Sequence, residues 1–310
     1  MDIKLIDLHC DTLDLCAEKG LSFDSSELHF NINKRQEGLR ICQAMAIFVH
    51  NDLKAESARA HFLKGYEIFR REEKAFREQL SVARDLRLIQ QHLEEKPVAL
   101  FLTVEGGSVL GGDIGWVDKL HDMGVKMTTL TWNGENELCG GVGSDKGFTV
   151  FGRQAVSRME QLGMAVDVSH INDKSFWQLC EFAEKPFCAS HSNSRSVCSH
   201  PRNLTDDQFR EIARRGGVVG LNYHRGFIAD GGNTNTIDDL LRHLFRFLEL
   251  GGENAIALGS DFDGAKMPDY LNGIEQLPSL IDALERSGLD NSAVEKVIFG
   301  NAARYLATLG

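Results

Sequence analysis

The chain has no CxxC pair, and its cysteines are odd in number: Cys10, Cys16, Cys42, Cys139, Cys180, Cys188 and Cys198. Scattered in this way they fit reduced thiols in a cytoplasmic protein better than a disulfide framework. Basic residues are also scarce, 34 Lys and Arg against 45 Asp and Glu, for a formal net charge of −11. Phosphate binding needs clustered cations, so this balance excludes nucleic acid as a partner. No apolar run reaches the length that spans a bilayer, the first residues lack the basic, apolar and small-residue order of a signal peptide, and no hydrophobic tail ends the chain. No membrane association is therefore expected. A glycine-rich nucleotide fingerprint after the first strand is missing too, as are internal repeats and low-complexity segments.

What is present is an ordinary globular composition, 42% hydrophobic and 25% charged over 310 residues. An α/β barrel reaches this length undivided, so a single domain over residues 1–310 is expected. Short apolar strands alternate with helical segments along the chain. The strands fall at Leu5–Leu8, Ala44–Val49, Pro97–Val104, Lys126–Thr131, Met164–Val168, Pro186–Ala189, Gly217–Asn222 and Ala255–Gly259. Between the second and third lies the longest helical pattern, from about Leu53 to Glu95, with Phe62, Tyr66, Phe69, Phe76 and Leu80 on one face. It reads as an amphipathic helix or helix pair on the outer layer, and it offers a surface for a homodimer. Eight strands alternating with helices predict a (β/α)8 TIM barrel with a long helical insertion after the second strand. A doubly wound open sheet is the alternative. The glycine-rich stretch up to Gly147 predicts a long loop lying over something.

The first strand runs directly into His9, Asp11 and Thr12. Residues two apart on a strand share a face, so His9 and Asp11 form a pincer suited to a divalent metal, with Cys10 pointing the other way. Glu105, His170, His191 and Asp261 likewise sit at the C-terminal ends of predicted strands. Each alone has an ordinary explanation: Asp11 as a helix cap, His9 as a core histidine, Glu105 as a turn residue, Asp261 and Asp263 in an Asx turn. In a barrel, however, all six lie on the one rim where such folds place their chemistry. Three histidines and several carboxylates suit zinc, with manganese or cobalt as alternatives. A pair of ions about 3.5–4 Å apart needs a shared ligand, a role open to Glu105, and a water held between them becomes a nucleophile near neutral pH.

Six stretches carry a resemblance. They are the HxD of His9 and Asp11, VEGG at Val104–Gly107, GMAVDVSH ending at His170, SHSNSRSVCSHPRN at Ser190–Asn203, SDFDG at Ser260–Gly264, and GNAARYL near the end. In this order and combination the chain resembles the renal (membrane) dipeptidase family of zinc metallopeptidases, which have an amidohydrolase-like barrel. The resemblance implies two zinc ions, one held by His9, Asp11 and Glu105 and the other by Glu105, His170 and His191. It implies hydrolysis of small dipeptides by a hydroxide bridging the ions, with Asp261 handling protons at the scissile amide and Glu105 bridging. Arg202 matches the arginine that grips the dipeptide carboxylate, a planar target suited to a guanidinium fork.

One position departs from the family pattern. Where the family has a histidine after the fourth strand, thought to stabilise the oxyanion, this chain has Trp132 followed by Asn133. An indole donates one hydrogen bond and carries no charge, so Trp132 and Asn133 are expected to line the substrate site and substitute in part for that histidine. Two other functions remain open: an amide or lactone hydrolase acting on a carboxylate-bearing non-peptide substrate, and a metal-retaining barrel that serves as a binding protein.

Overall fold

The computed structural model describes residues 2–232 and 236–309. Its strands, numbered along the chain, are β1 (Ile3–Asp7), β2 (Leu39–Phe48), β3 (Leu80–Val82), β4 (Val98–Glu105), β5 (Val125–Thr129), β6 (Ala165–Asp167), β7 (Val219–Leu221) and β8 (Ile256–Leu258). They pair in parallel in the order β6-β5-β4-β2-β1-β8-β7, with β3 attached to β4 off this path. Parallel strands need crossover connections, and helices supply most of them, covering the sheet so that most strand residues are buried. All eight residues of β4, for instance, are buried.

The gap between β6 and β7 is filled by the predicted sixth strand, reduced to two residues. Cys188 bridges to Asp167 and Ala189 to Val219, both in parallel. Val168 N–H donates to the Cys188 carbonyl at 2.8 Å, and Gly220 N–H to the Ala189 carbonyl at 2.9 Å. Counting this two-residue stave, the sheet curls into a ring of eight staves with helices outside it, the predicted α/β barrel architecture.

Two local expectations differ from the structure. β2 starts at Leu39, five residues before the apolar run that marked it. Arg40 hides that start: its guanidinium meets Asp2 and the Leu93 carbonyl at the strand's outer end, while Ile41 and Cys42 are buried. The helical stretch after β2 is a pair, α2 (Ala55–Ala75) and α3 (Ile89–Glu95), with β3 between them. Leu80 continues the helical spacing of Phe69 and Phe76, yet it pairs with Val98 as a strand residue. A buried leucine satisfies either pattern, so periodicity alone misassigns it. The loop from Trp132 to Gly147 folds back on itself, Glu135 bridging Gly140, and lies against Ile171 through Gly141.

Candidate metal centre

The six rim residues come from five staves. His9 and Asp11 follow β1, Glu105 ends β4, His170 follows β6, His191 follows the two-residue stave and Asp261 follows β8. All are buried. Two carboxylates deeper in the barrel shape the turns that carry them. Asp7 accepts from the His9 amide at 3.1 Å and the Ser260 amide at 3.0 Å. Asp167 accepts from the Ser169 amide at 3.1 Å and the Ser190 amide at 2.8 Å. Asp261 and Asp263 both adopt positive φ, 65° and 67°, a region that L residues with a Cβ rarely enter. Asp263 holds this turn by accepting from Thr12 Oγ1 at 2.6 Å and from the His29 and Phe30 amides at 2.7 and 3.2 Å. Gly264 must be glycine, because a Cβ there would lie 1.8 Å from Asp11 Oδ2.

The ligand atoms converge. His9 Nε2 lies 3.4 Å from Asp11 Oδ2, 3.6 Å from Glu105 Oε2 and 3.9 Å from Asp261 Oδ1. Glu105 Oε1, its other oxygen, lies 2.7 Å from His170 Nε2 and 3.4 Å from His191 Nε2. His170 and His191 face each other, Nε2 to Nε2, at 3.1 Å. Two ligands on a tetrahedral zinc at bond lengths near 2.05 Å are separated by about 3.3 Å. The 3.4 Å spacings of His9 with Asp11 and of His191 with Glu105 match that figure, one at each end, whereas His170 lies closer to Glu105, at hydrogen-bond distance, and Glu105 turns one oxygen toward each end. Both His9 ring nitrogens and Asp11 Oδ1 are buried with no hydrogen-bond partner among the described residues. Orphaned buried polar atoms of this kind are costly unless a cation satisfies them. The donor set therefore fits a pair of divalent ions.

Electrostatics divide the cluster. At the β1 end, burial opposes charge on His9, but the Asp11 and Glu105 carboxylates outweigh it and raise its pKa well above the ordinary histidine value. Burial, together with the Glu105 charge, pushes Asp11 well above the usual carboxylate range. At the other end, burial and then the Arg202 charge bring His170 down to about 3. Burial and the His9 charge also lower His191. Glu105 is held well below its ordinary value despite burial, by the charges of His9 and His170. Without metal, protons thus sit at the β1 end.

The cluster opens into a cavity of about 380 Å³ lined by Trp132, Asn133, His170, Glu105 and Asp261 among others. Trp132 packs against Phe48 at 5.2 Å and His50 at 4.8 Å between ring centroids. Asn133 is engaged with the cluster: its Oδ1 lies 2.9 Å from His170 Nδ1. Asp261 Oδ2 accepts from Asn222 Nδ2 at 2.9 Å. Arg202 stands apart from this group. It is buried beneath Phe227, its guanidinium 5.3 Å from that ring. One terminal nitrogen bonds the Ser169 carbonyl and the other the His191 carbonyl at 3.0 Å, leaving Nε without a partner.

Sequence reasoning missed several residues around the cavity. Asp14 and Glu18 line it from the helix α1 (Thr12–Lys19), and His224 and Phe227 from beyond β7. Helical spacing from Asp11 marks Asp14 and Glu18, and the strand-end rule marks His224. His224 Nδ1 accepts from the Gly226 amide at 2.9 Å, so a neutral His224 carries its proton on Nε2.

Comparison with known proteins identifies the fold and the family. A crystal structure of a dipeptidase, a metallo peptidase of family M19, superposes with a TM-score of 0.93 at 25% identity, covering 99% of this chain and 98% of that one. A metallo peptidase from Rhodobacter sphaeroides, solved with a phosphinate mimic of L-Ala-D-Ala, shares the fold with a TM-score of 0.94 at 24% identity over the full length of both chains. An uncharacterized protein of Klebsiella pneumoniae, in the pqqA 5′ region, is 34% identical over 229 residues, 70% of this chain and 84% of that one. The model of the membrane dipeptidase family, peptidase family M19, matches residues 1–309, and with that match the chain belongs to this family of metallodipeptidases.

Proposed function

We propose that the chain is a dinuclear zinc dipeptidase acting on small dipeptides, its whole length of 310 residues serving as one cytoplasmic hydrolase domain. The observation that carries this reading is the divided carboxylate of Glu105, with Oε2 toward His9 and Oε1 toward His170 and His191. One residue facing two sets of ligands is what a bridging role needs. His9, Asp11 and Glu105 would hold one ion, and Glu105, His170 and His191 the other. Bound there, the ions supply Lewis acidity toward an amide carbonyl and lower the pKa of an attacking water.

The remaining steps belong to the chain. Asp261 lines the cavity within 3.9 Å of His9 Nε2, placed to take a proton from the attacking water and return it to the leaving amine. Asn222 donates to its other oxygen and fixes its orientation. Burial would raise Asp261, but the neighbouring His191 and His9 charges bring it below the usual range, so it starts as the base. Arg202 keeps the substrate-carboxylate role on its motif position alone: it lies outside the residues lining the cavity, with both terminal nitrogens on the Ser169 and His191 carbonyls, so the role requires its guanidinium to exchange one of those bonds for the substrate. Trp132 and Asn133 wall the cavity where the scissile carbonyl would lie.

The test is metal quantification on the purified protein together with hydrolysis of a dipeptide panel and a lactone panel, with and without chelator. Two equivalents of zinc and chelator-sensitive release of amino acids are expected. Cleavage of lactones alone would overturn the dipeptide assignment, and binding of dipeptides without turnover would mark a binding protein.

A further inference from the structure

A metal-ligating imidazole must present a lone pair, so something must hold its proton on the other nitrogen. For His191 the structure contains the device. His191 Nδ1 lies 2.7 Å from Ser190 Oγ, and Ser190 Oγ lies 2.6 Å from Asp167 Oδ2. Asp167 is wholly buried and receives five donors. Thr129 Oγ1, at 2.5 Å, joins Ser190 Oγ on Oδ2, while Ser169 Oγ at 2.7 Å and the Ser169 and Ser190 amides at 3.1 and 2.8 Å reach Oδ1. A carboxyl surrounded in this way by donors has no room for a proton of its own.

The consequence follows from counting protons. Ser190 has a single hydroxyl proton. Given to Asp167, it leaves Ser190 Oγ only as an acceptor toward His191. His191 must then donate from Nδ1, and its Nε2 lone pair is turned toward Glu105 Oε1 and His170 Nε2, at 3.4 and 3.1 Å. We propose that Asp167 and Ser190 are positioning residues that lock His191 in the ligating tautomer before any metal arrives. The inference rests on the metal-centre reading for its purpose, but not for its geometry.

The same geometry predicts how the lock fails. With Nδ1 deprived of its acceptor, the nearby Glu105 carboxylate draws the proton to Nε2, the nitrogen needed by the metal. In Ser190→Ala the acceptor is gone. In Asp167→Asn the amide oxygen must stay at the Oδ1 position, where two backbone N–H groups point at it. Its NH₂ therefore takes the Oδ2 position and donates to Ser190 Oγ and Thr129 Oγ1. That frees the Ser190 proton to turn toward His191 Nδ1.

The readout is ¹⁵N NMR of histidine-labelled, metal-depleted full-length protein, because the two neutral tautomers give distinct nitrogen signatures. The expected result is Nδ1–H for His191 in the wild type and Nε2–H in both variants. An unchanged tautomer in Ser190→Ala overturns the proposal, even if Asp167→Asn fails to fold. Zinc titration by calorimetry provides the second measurement: Ser190→Ala should weaken the zinc equivalent that His191 would hold, the first to bind in the wild type, by about 10- to 100-fold, and unchanged affinity for that equivalent overturns the lock. Neither readout needs turnover, so a protein that shows this tautomer switch but cleaves no dipeptide would sink the proposed function and leave the lock standing.

Discussion

The two ends of the metal cluster are held in opposite ways. At the β1 end, His9 has no hydrogen-bond partner on either ring nitrogen and is located by stacking on His191, with ring centroids 3.8 Å apart. At the far end, His170 has Asn133 on its second nitrogen and His191 has Ser190. One end is oriented by the protein in advance; the other leaves its ligands short of partners and rich in protons. On the proposed dinuclear reading, the difference teaches that the far end would bind first with little reorganisation and that the β1 end would be completed by the metal itself.

The most severe way to break this comparison is to remove the residue that belongs to both ends. Glu105→Gln should lower kcat/KM roughly a thousandfold or more, the scale of losing a principal electrostatic group, and reduce the zinc content below two equivalents. A variant that retains two zinc ions by elemental analysis would refute the bridge. Asp261→Asn touches the chemistry while leaving all five proposed ligands in place. It should cost about 10²- to 10⁴-fold in kcat, as loss of a general acid–base does, while both zinc equivalents remain; metal loss in this variant would make Asp261 a ligand instead.

A gentler test reads protons rather than turnover. In the metal-free protein the raised pKa of His9 leaves it charged at neutral pH, whereas His170, at about 3, is neutral. A metal must displace the proton from His9 and need displace none from His170. Calorimetry in buffers of different ionisation enthalpy should show the first zinc equivalent binding with little proton release and the second with more. Affinity for the second should fall as the pH is lowered from 8 to 6, and equal proton release by both would erase the distinction. The smallest effect is expected at the far end's substrate wall. Trp132→His should change turnover by less than about tenfold, because a missing oxyanion donor would cost a few kcal/mol and the chain already works without a histidine there. A gain of several orders of magnitude would show that the wild type lacks that donor outright.

Much of this arrangement was legible in the sequence, for one physical reason. Residues at strand ends of a barrel share a rim whatever their separation along the chain, so His9 and Asp261 could be joined without knowing any contact between them. The barrel itself followed from the alternation of apolar runs and helices. What escaped was set by tertiary contacts. The sixth stave has only Cys188 and Ala189 in the sheet, one bridge to each neighbour, and β3 hid inside a helical period that Leu80 satisfies equally well. The burial of Arg202 beneath Phe227 depends on the loop after β7, whose path no local pattern announces. Ser190 lay within a recognised stretch, but a serine beside a histidine has no meaning until Asp167 is seen behind it.

The unequal staves have a dynamic consequence. β2 and β4 are laddered over eight residue pairs, while β6, β7 and β8 have three residues each and the stave between β6 and β7 has two. Resistance to local opening follows such ladders, so amide exchange in the metal-free protein should be fastest along the seam from Val166 to Leu221. His170 and His191 flank that seam, and Glu105 reaches them from the well-laddered side. Ions bound across these residues, as proposed above, would act as a hoop on the barrel at its thinnest point and would slow exchange most where it is otherwise fastest.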